Sequence, residues 1–188
     1  MKDQSLELSA IVDVIEDLRH GRMVIIVDDS KRENEGDLVI ATEKIRAEDL
    51  AFMMHHARGM ICVSISKEIA DRLKLPLQVL NNNSPFNTPF TVSVDHKSVV
   101  GEGMTAKSRA VTLKALLEEH TIPDDLCTPG HVFPLIANPG GVTARQGQTE
   151  GSYDLARLAG LKPSGVICEI LNDDGTMARG QALNSFAQ

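Results

Sequence analysis

Apolar positions along the first third of the chain alternate between helical and extended spacing. Apolar residues at 11, 14, 15 and 18 share one side of a predicted helix, and the glycine at 21 stands just beyond its end. The apolar runs Met23–Val27 and Leu38–Ala41 predict two strands. A second helix is predicted over Glu48–Arg58, and a strand over Met60–Ile65 follows it.

The rest of the chain continues this alternation, with loops over 81–89 and 138–147 that contain Asn, Pro and Gly. The elements predicted there are a short helix capped by Ser66 and reaching Leu73, a strand over Thr91–Val94, a helix capped by Thr105, a strand over His131–Leu135, a helix capped by Thr149 and reaching Ala159, and a strand over Val166–Leu171. Pro134 cannot donate a hydrogen bond to a neighbouring strand, so its strand should lie near a sheet edge. Helices and strands interleave without a strict β-α-β repeat, which predicts an α+β fold with a mixed sheet covered by helices.

Length and composition narrow the class of protein. A chain of 188 residues predicts one domain over 1–188. A net charge of −7 and an aromatic content of 3% argue against nucleic acid as a partner, because phosphate binding needs a basic face and base stacking needs aromatic rings. The chain has no apolar run of about eighteen residues and no signal-peptide core near its start. We therefore expect a cytoplasmic protein that does not enter a membrane.

The three cysteines do not predict a metal or disulfide framework. Cys62, Cys127 and Cys168 are widely spaced and form no CxxC pair. Cys62 and Cys168 each lie in an apolar run, where a free cysteine usually behaves as a small buried hydrophobic residue.

The segment Asp28–Asp37, which we call the acidic loop, has the densest charge in the chain. It holds five carboxylates and two cations between two predicted strands, and it is longer than a hairpin turn requires. A solvated turn is the simplest explanation of such a cluster. However, Arg32 stands next to three acids at alternating positions, Glu33, Glu35 and Asp37. Crowded carboxylates need a metal ion, an arginine or a proton to offset their repulsion, so the loop favours a divalent-cation or acid–base site.

Polar residues in other parts of the chain add to this candidate site. Glu169 interrupts the apolar run 165–171, where a carboxylate needs a partner or a proton, so it is an ion-pair member or an acid–base group. His131 begins an apolar strand, where a structural histidine is more common than a catalytic one. The segments 101–109 and 145–150 each run from a loop into a predicted helix, and free backbone N–H groups at such a start can bind phosphate. Arg145 would suit the same ligand, although a plain helix start also explains these loops.

Together these motifs resemble the 3,4-dihydroxy-2-butanone-4-phosphate synthase family of riboflavin biosynthesis. The segments that carry the resemblance are Asp28–Leu38, Pro129–Leu135, Pro139–Val142, Asp154–Leu161, Gly165–Ile170 and Asn172–Arg179. The resemblance extends from about the first helix to Arg179 and implies a sheet between helices in a three-layer arrangement. It also implies a lyase that converts ribulose 5-phosphate to dihydroxybutanone phosphate and formate with Mg²⁺ (or Mn²⁺), and a homodimer with sites near the subunit interface.

The resemblance assigns roles by motif position. The implied catalytic residues are His131, Glu169 and Glu35, and the implied metal ligands are Glu33 and Gln148. The implied substrate-binding residues are Arg32, Glu33, Asp37, Thr105, Arg145, Gln148, Thr149 and Glu169.

The chain departs from the family pattern at two loops of the implied site. Gln148 stands where the family has a metal-binding His, and Glu102 stands where it has a Thr. The amide oxygen of Gln148 can still bind Mg²⁺, but glutamine cannot titrate. Glu102 adds a negative charge near an expected phosphate pocket, unless Lys107 or a metal ion offsets it. Two alternatives therefore stay open: a divergent paralogue acting on a related sugar phosphate, and a catalytically silent subunit that binds a phosphosugar.

Overall fold

A computed structural model of the chain describes residues 8–188, which form six α-helices and six β-strands. The helices are α1 Ile11–Arg19, α2 Ala47–Phe52, α3 Lys67–Arg72, α4 Ala106–Leu117, α5 Gln148–Leu158 and α6 Gln181–Phe186. The strands are β1 Val24–Val27, β2 Gly36–Ala41, β3 Cys62–Ile65, β4 Val94–His96, β5 Leu126–Ile136 and β6 Gly165–Glu169. A π-helical turn, Met53–Ala57, follows α2 directly. None of the described helices is long and apolar enough to cross a membrane.

The strands form one sheet in the order β1-β2-β6-β3-β5-β4. The β3–β5 pair is parallel, whereas the other pairs are antiparallel, so the sheet is mixed as predicted. Strand β5 lies beside the edge strand β4, and the carbonyl of Pro134 accepts a hydrogen bond from the amide of Thr91 at 2.9 Å. The predicted position of Pro134 near a sheet edge therefore agrees with the structure.

Alternate residues of the central strands pack into two separate hydrophobic cores, one on each face of the sheet. On β2, Leu38 and Ile40 pack on one face of the sheet against helices α2, α3, α4 and α6, while Val39 packs on the other against α1 and α5. Ile167 on β6 lies on the same face as Val39, and Val166 lies on the opposite one. Because side chains alternate across a strand, two buried faces mean that helices cover both sides of the sheet. The three-layer α+β fold is thus confirmed.

The first turns of the helices show which of the predicted N-cap residues are correct. Ser66 and Thr105 accept hydrogen bonds from amides in the first turns of α3 and α4, so both predicted caps are confirmed. The predicted cap at Thr149 is wrong, because Gly147 occupies the cap position and α5 begins at Gln148, two residues earlier than predicted. Thr149 is buried instead, at 3% exposure. The sequence pattern does not predict helix α6, because six residues give little periodic signal.

Candidate active site

The acidic loop connects β1 to β2, and the side chain of Asp28 holds the backbone of this loop in place. The two carboxylate oxygens of Asp28 accept hydrogen bonds from the amides of Glu33 and Glu35, at 2.9 and 2.8 Å. Burial alone would raise the pKa of Asp28, but these amides and the Arg32 guanidinium outweigh it, so the pKa lies below its ordinary value. Asp28 therefore stays ionised and fixes the positions from which Glu33 and Glu35 project.

Arg32 joins the acidic loop to the start of helix α5. Its Nη1 atom donates to the carboxylates of Asp28 and Glu33 at 2.9 and 2.8 Å, and to the amide oxygen of Gln148 at 2.9 Å. The guanidinium carbon lies 4.9 Å from the centre of the Phe86 ring, in cation–π geometry. Arg32 and Gln148 are 116 residues apart in sequence, so this contact unites two of the predicted site loops.

The buried Asp37 and the partly buried Glu169 form an acid pair at the ends of two neighbouring strands. They lie directly opposite each other on the antiparallel strands β2 and β6. Burial raises the pKa of Asp37 well above its ordinary value, and the charges of Glu169 and the acidic loop raise it further. Burial is also the main reason that the pKa of Glu169 is raised. The Oδ1 atom of Asp37 is buried and makes no hydrogen bond with the described residues.

The turn after the π-helix orients Glu169. Arg58 adopts a left-handed conformation with φ of 70°, and Gly59 then passes so close to Glu169 that an added Cβ would lie 2.3 Å from its carbonyl oxygen. This close approach lets the amide of Met60 donate to the Oε2 atom of Glu169 at 2.7 Å. Gly59 is therefore required for the position of the Glu169 carboxyl group.

Glu35 is the third acid of the predicted site with a raised pKa. Burial is the largest cause, followed by the charges of Glu33, Glu169 and Asp28, whereas Arg179 opposes the shift. Arg179 approaches from the C-terminal segment and donates to the backbone carbonyls of Asn34 and Glu33, at 2.7 and 3.3 Å. Asn34 has a φ of 53°, so Arg179 secures the loop where its backbone takes an unusual conformation.

Arg145 lies beside Arg32 at the start of α5. Its guanidinium forms an ion pair with the fully buried Glu150 at 2.7 Å and a longer contact with the Phe86 carbonyl at 3.3 Å. A Cβ added to Gly147 would lie 2.4 Å from Arg145 Nη1 and 3.0 Å from Arg32 Nη2, so both guanidinium groups flank this glycine. Two cations next to a helix start suit an anionic group such as a phosphate.

His131 belongs to a second group of polar residues. Its Nδ1 atom and its backbone amide contact the two carboxylate oxygens of Asp95, at 2.6 and 2.9 Å. The His131 side chain is 44% exposed, while that of Asp95 is 14% exposed. Between residues 8 and 188, no hydrogen bond or ion pair connects this pair to the acidic loop. The Asp95 contact fixes the histidine ring and leaves Nε2 as its free nitrogen.

Thr105 and Glu102 lie on the surface rather than in the acid cluster. Thr105 caps α4, and its hydroxyl accepts from the amide of Ser108 at 3.1 Å. Glu102 is 3.7 Å from the ammonium group of Lys107. Lys107 is thus placed to offset the Glu102 charge, which is the condition identified from the sequence.

The structure therefore divides the predicted site residues into two sets. The acidic loop, Gln148 and Glu169 come together within one chain, with Arg145 and the buried Thr149 beside them, whereas His131 and Thr105 do not join them. Sequence reasoning gives no role to Asp95 and Arg179. It also treats Cys62 as a core residue, and Cys62 is indeed buried, but it lies near Asp37 and Glu169, and its thiol pKa is raised mainly by burial. A polar residue directly after the predicted strand 91–94 is the signal for Asp95.

The oxygen donors of the site suit Mg²⁺, which needs only one or two protein ligands, better than a metal ion that is held by several protein side chains. Within the described part of the chain, no group of three or more His, Cys, Asp or Glu side chains could hold a metal ion. However, an oxygen of Glu33 and an oxygen of Gln148 both contact the same cationic nitrogen of Arg32. Mg²⁺ commonly takes one or two protein oxygens and completes its shell with water and substrate. These two oxygens therefore suit a magnesium ion that also binds a ligand.

Comparison with known proteins identifies the family. The sequence model described as 3,4-dihydroxy-2-butanone 4-phosphate synthase matches residues 12–188. The chain belongs to this family. It is 50% identical over 182 residues to a 3,4-dihydroxy-2-butanone 4-phosphate synthase of Pseudomonas aeruginosa, covering 97% of this chain and 50% of that protein. It is also 50% identical over 183 residues to the protein of that name from Agrobacterium fabrum, covering 97% of this chain and 86% of that protein.

A solved structure of a family member matches the fold closely. The crystal structure of a 3,4-dihydroxy-2-butanone 4-phosphate synthase in complex with two magnesium ions has a TM-score of 0.91 and 41% sequence identity. The match covers 96% of this chain and 89% of that one. With some relatives the coverage is lower, since the chain spans about half the length of the Pseudomonas protein.

Proposed function

We propose that this chain converts ribulose 5-phosphate to 3,4-dihydroxy-2-butanone 4-phosphate and formate. The observation that carries the proposal is the meeting of the acidic loop, whose last residue is the buried Asp37, with Glu169 on β6. Ketose rearrangement and cleavage require protons to be removed from carbon and returned to oxygen. Carboxyl groups whose pKa is raised above its ordinary value are suited to both steps.

The acids differ in the proton that each can hold. The Met60 amide donates a hydrogen bond to one oxygen of Glu169 and fixes the carboxyl group that would exchange a proton with a ligand. Asp37 is buried and favours its protonated form, which makes it a hydrogen-bond donor to a substrate hydroxyl. Glu35 is less buried and would support the loop that presents Glu33.

The two arginines would bind the phosphorylated end of the sugar. Arg145 and Arg32 flank Gly147 at the start of α5, where backbone N–H groups add to the positive field. Thr149 lies in the first turn of the same helix and would supply a hydroxyl. The phosphate would thereby hold the ketose with its reactive end toward the acids.

Glu33 and Gln148 are the residues that would hold a divalent cation. When bound, Mg²⁺ or Mn²⁺ would supply positive charge for the oxygens of the ketose and its enediolate. The relative solved with two magnesium ions supports the use of a divalent cation.

We further propose that the chain works as a homodimer in which His131 acts across the interface. Half-exposed His131 is fixed by Asp95 but has no link to the acidic loop of its own chain among the described residues. Thr105 is exposed at the start of α4 and is a candidate contact for the partner's substrate. The assignment of residues 1–188 to one domain and the cytoplasmic location stay predictions.

A product assay tests the main proposal. Purified protein incubated with ribulose 5-phosphate and Mg²⁺ should release formate and a four-carbon phosphate, and Glu169→Gln should abolish both products. The exposed variant Glu68→Gln is the control, because Glu68 lies on α3 away from the acid cluster. Absence of both products across a Mg²⁺ and Mn²⁺ titration would refute the activity, and substrate binding without turnover would indicate a silent subunit.

One contact favours a second candidate function, which is a related reaction on another sugar phosphate. The Gln148 oxygen is engaged by Arg32, and glutamine cannot perform the acid–base or electrostatic role of an imidazole. If the double change Gln148→His with Glu102→Thr leaves the rate on ribulose 5-phosphate unaltered, this candidate loses its basis. A large gain would support it.

A further inference from the structure

One nitrogen atom of Arg32 lies at the point where the proposed metal ligands converge. Nη1 is 2.8 Å from the Glu33 oxygen, 2.9 Å from the Gln148 oxygen and 2.9 Å from a carboxylate oxygen of Asp28. Arg32 is only 16% exposed, and its partner Asp28 is 4% exposed, so these contacts are largely shielded from water. A cationic nitrogen therefore already satisfies the oxygens that a divalent cation would use.

The same oxygens cannot serve both cations fully. Mg²⁺ binds oxygen at about 2.1 Å and demands a regular arrangement of ligands. A guanidinium nitrogen within hydrogen-bond distance of the same two oxygens would lie next to the metal ion, and like charges at that separation repel strongly where water is excluded. One cation must leave before the other can bind well.

We propose that Arg32 is a built-in competitor for the divalent-cation site, and that cation binding releases it to the substrate. The inference rests on the proposed function, because it uses Glu33 and Gln148 as the metal ligands. It adds a specific property of this chain, in which a neutral amide oxygen at 148 holds the arginine.

The surroundings of Arg32 allow this exchange without loss of the loop structure. The Glu33 and Glu35 amides are held by Asp28, and the carbonyls of Glu33 and Asn34 are held by Arg179. The second terminal nitrogen of Arg32 already faces Gly147, next to Arg145. A short swing of the guanidinium would therefore place it beside Arg145, where the phosphorylated substrate is expected.

Mn²⁺ titration followed by electron paramagnetic resonance, without substrate, tests the competition. The variant Arg32→Met removes the charge and every donor, and it adds no oxygen ligand. If Arg32 occupies the site in roughly nine molecules of ten, the variant should bind Mn²⁺ about tenfold more tightly than the wild type. Equal or weaker binding by the variant would overturn the competition.

Arg179→Met is the matched control for charge. Arg179 contacts backbone carbonyls of the same loop but neither metal-ligand oxygen, so its removal should not tighten Mn²⁺ binding. Equal tightening by both variants would show a general effect of net charge and contradict the proposal. If neither the wild type nor any variant binds Mn²⁺, the proposed metal site itself is refuted, and the competition with it.

A measurement on the wild-type protein avoids any effect of substitution on folding. In protein labelled with ¹⁵N-arginine, Mg²⁺ should shift the side-chain signal of Arg32 as its hydrogen bonds to Glu33 and Gln148 break. The signal of Arg157, an exposed residue paired with Asp154, should not move. An unchanged Arg32 signal at Mg²⁺ saturation would show that the arginine stays in place, and would overturn the proposal.

Discussion

At the scale of single residues, Asp37 shows how the fold creates chemistry at a cost in stability. Its side chain is 4% exposed, one oxygen has no hydrogen-bond partner among residues 8–188, and Glu169 lies directly opposite. A buried carboxyl group without a counter-ion keeps its proton, because ionisation in this environment is unfavourable. The site therefore contains an acid that a solvated loop could not provide.

Asp37→Asn should stabilise the protein increasingly as pH rises. Because the folded-state pKa is raised, the folded protein holds more protons than the unfolded chain, and stability falls as pH rises from about 4 through the folded pKa. Asparagine does not titrate and so removes this loss. The unfolding free energy of the variant should therefore exceed that of the wild type by at least about 1 kcal/mol at pH 8. Urea unfolding at pH 5 and pH 8 measures the difference. The exposed variant Asp71→Asn on α3 should show no such growth with pH. If the difference in unfolding free energy between Asp37→Asn and the wild type were the same at pH 5 and pH 8, the raised pKa of Asp37 would be contradicted.

Gly59→Ala should displace the Glu169 carboxyl group. An added Cβ would lie 2.3 Å from the carbonyl oxygen of Glu169 and 2.6 Å from its Oε2 atom. We expect a loss of about 1–3 kcal/mol in unfolding free energy and a fall in kcat. The control Gly151→Ala has its nearest contact at 3.4 Å in helix α5, and it should be neutral or slightly stabilising. Full activity in Gly59→Ala would rule out this positioning role.

At the scale of elements, the C-terminal segment acts as a clamp on the acidic loop. The chain turns back after β6 through a hydrogen bond from the Asn172 amide to the Thr176 carbonyl, at 2.7 Å. This return brings Arg179 to the loop carbonyls and packs Leu183 of α6 so close to Gly36 that an added Cβ would lie 2.6 Å from it. The position of the short helix α6 therefore follows from its packing against the acidic loop rather than from its own helical propensity.

Arg179→Gln should loosen the acidic loop while leaving the rest of the fold intact. The lost hydrogen bonds reach only the carbonyls of Glu33 and Asn34, so the proposed metal ligand would be less well positioned. We expect kcat/KM to fall about tenfold and hydrogen exchange over residues 29–35 to become faster. Arg157→Gln, which breaks an exposed ion pair on α5, should leave both unchanged. An Arg179→Gln variant with normal exchange in the loop would exclude the clamp.

At the scale of the whole molecule, the residues of the candidate site form two groups. The acidic loop, Glu169 and the two arginines belong to one group, whereas His131 and Asp95 form a second group that no hydrogen bond or ion pair links to the first among residues 8–188. A symmetric dimer repeats each patch twice, so one interface can build two complete sites. The proposed homodimer would therefore explain why His131, the proposed catalytic histidine, is half exposed in the single chain.

A mixing experiment tests this arrangement. Glu33→Gln and His131→Asn should each be inactive alone. If each site combines groups from two chains, equal amounts of the variants, unfolded and refolded together, should recover about a quarter of wild-type activity. Recovery of nothing, with mixed dimers shown by native mass spectrometry, would place both groups in one chain.

Local signals in the amino-acid sequence determine much of the fold. The apolar runs of β1, β2, β3 and β6 and the caps Ser66 and Thr105 depend on neighbours within a few residues, and the structure confirms them. The mixed sheet also follows from the order of elements. Glu169 is recognisable because a carboxylate in an apolar run is conspicuous in sequence. The roles of the other site residues come from the family resemblance.

Tertiary structure alone decides which polar residues meet. The pairing of Asp37 with Glu169 depends on the register between β2 and β6, and the contact of Arg32 with Gln148 spans 116 residues. Gly147, rather than Thr149, occupies the cap position of α5 and lies between two guanidinium groups, a setting that local sequence does not reveal. Sequence patterns report local conformation and burial, whereas pKa shifts and ligand sites arise from charges brought together by packing. The acidic loop is therefore visible in the sequence, but the proton held by Asp37 and the competition at Arg32 are properties of the folded chain.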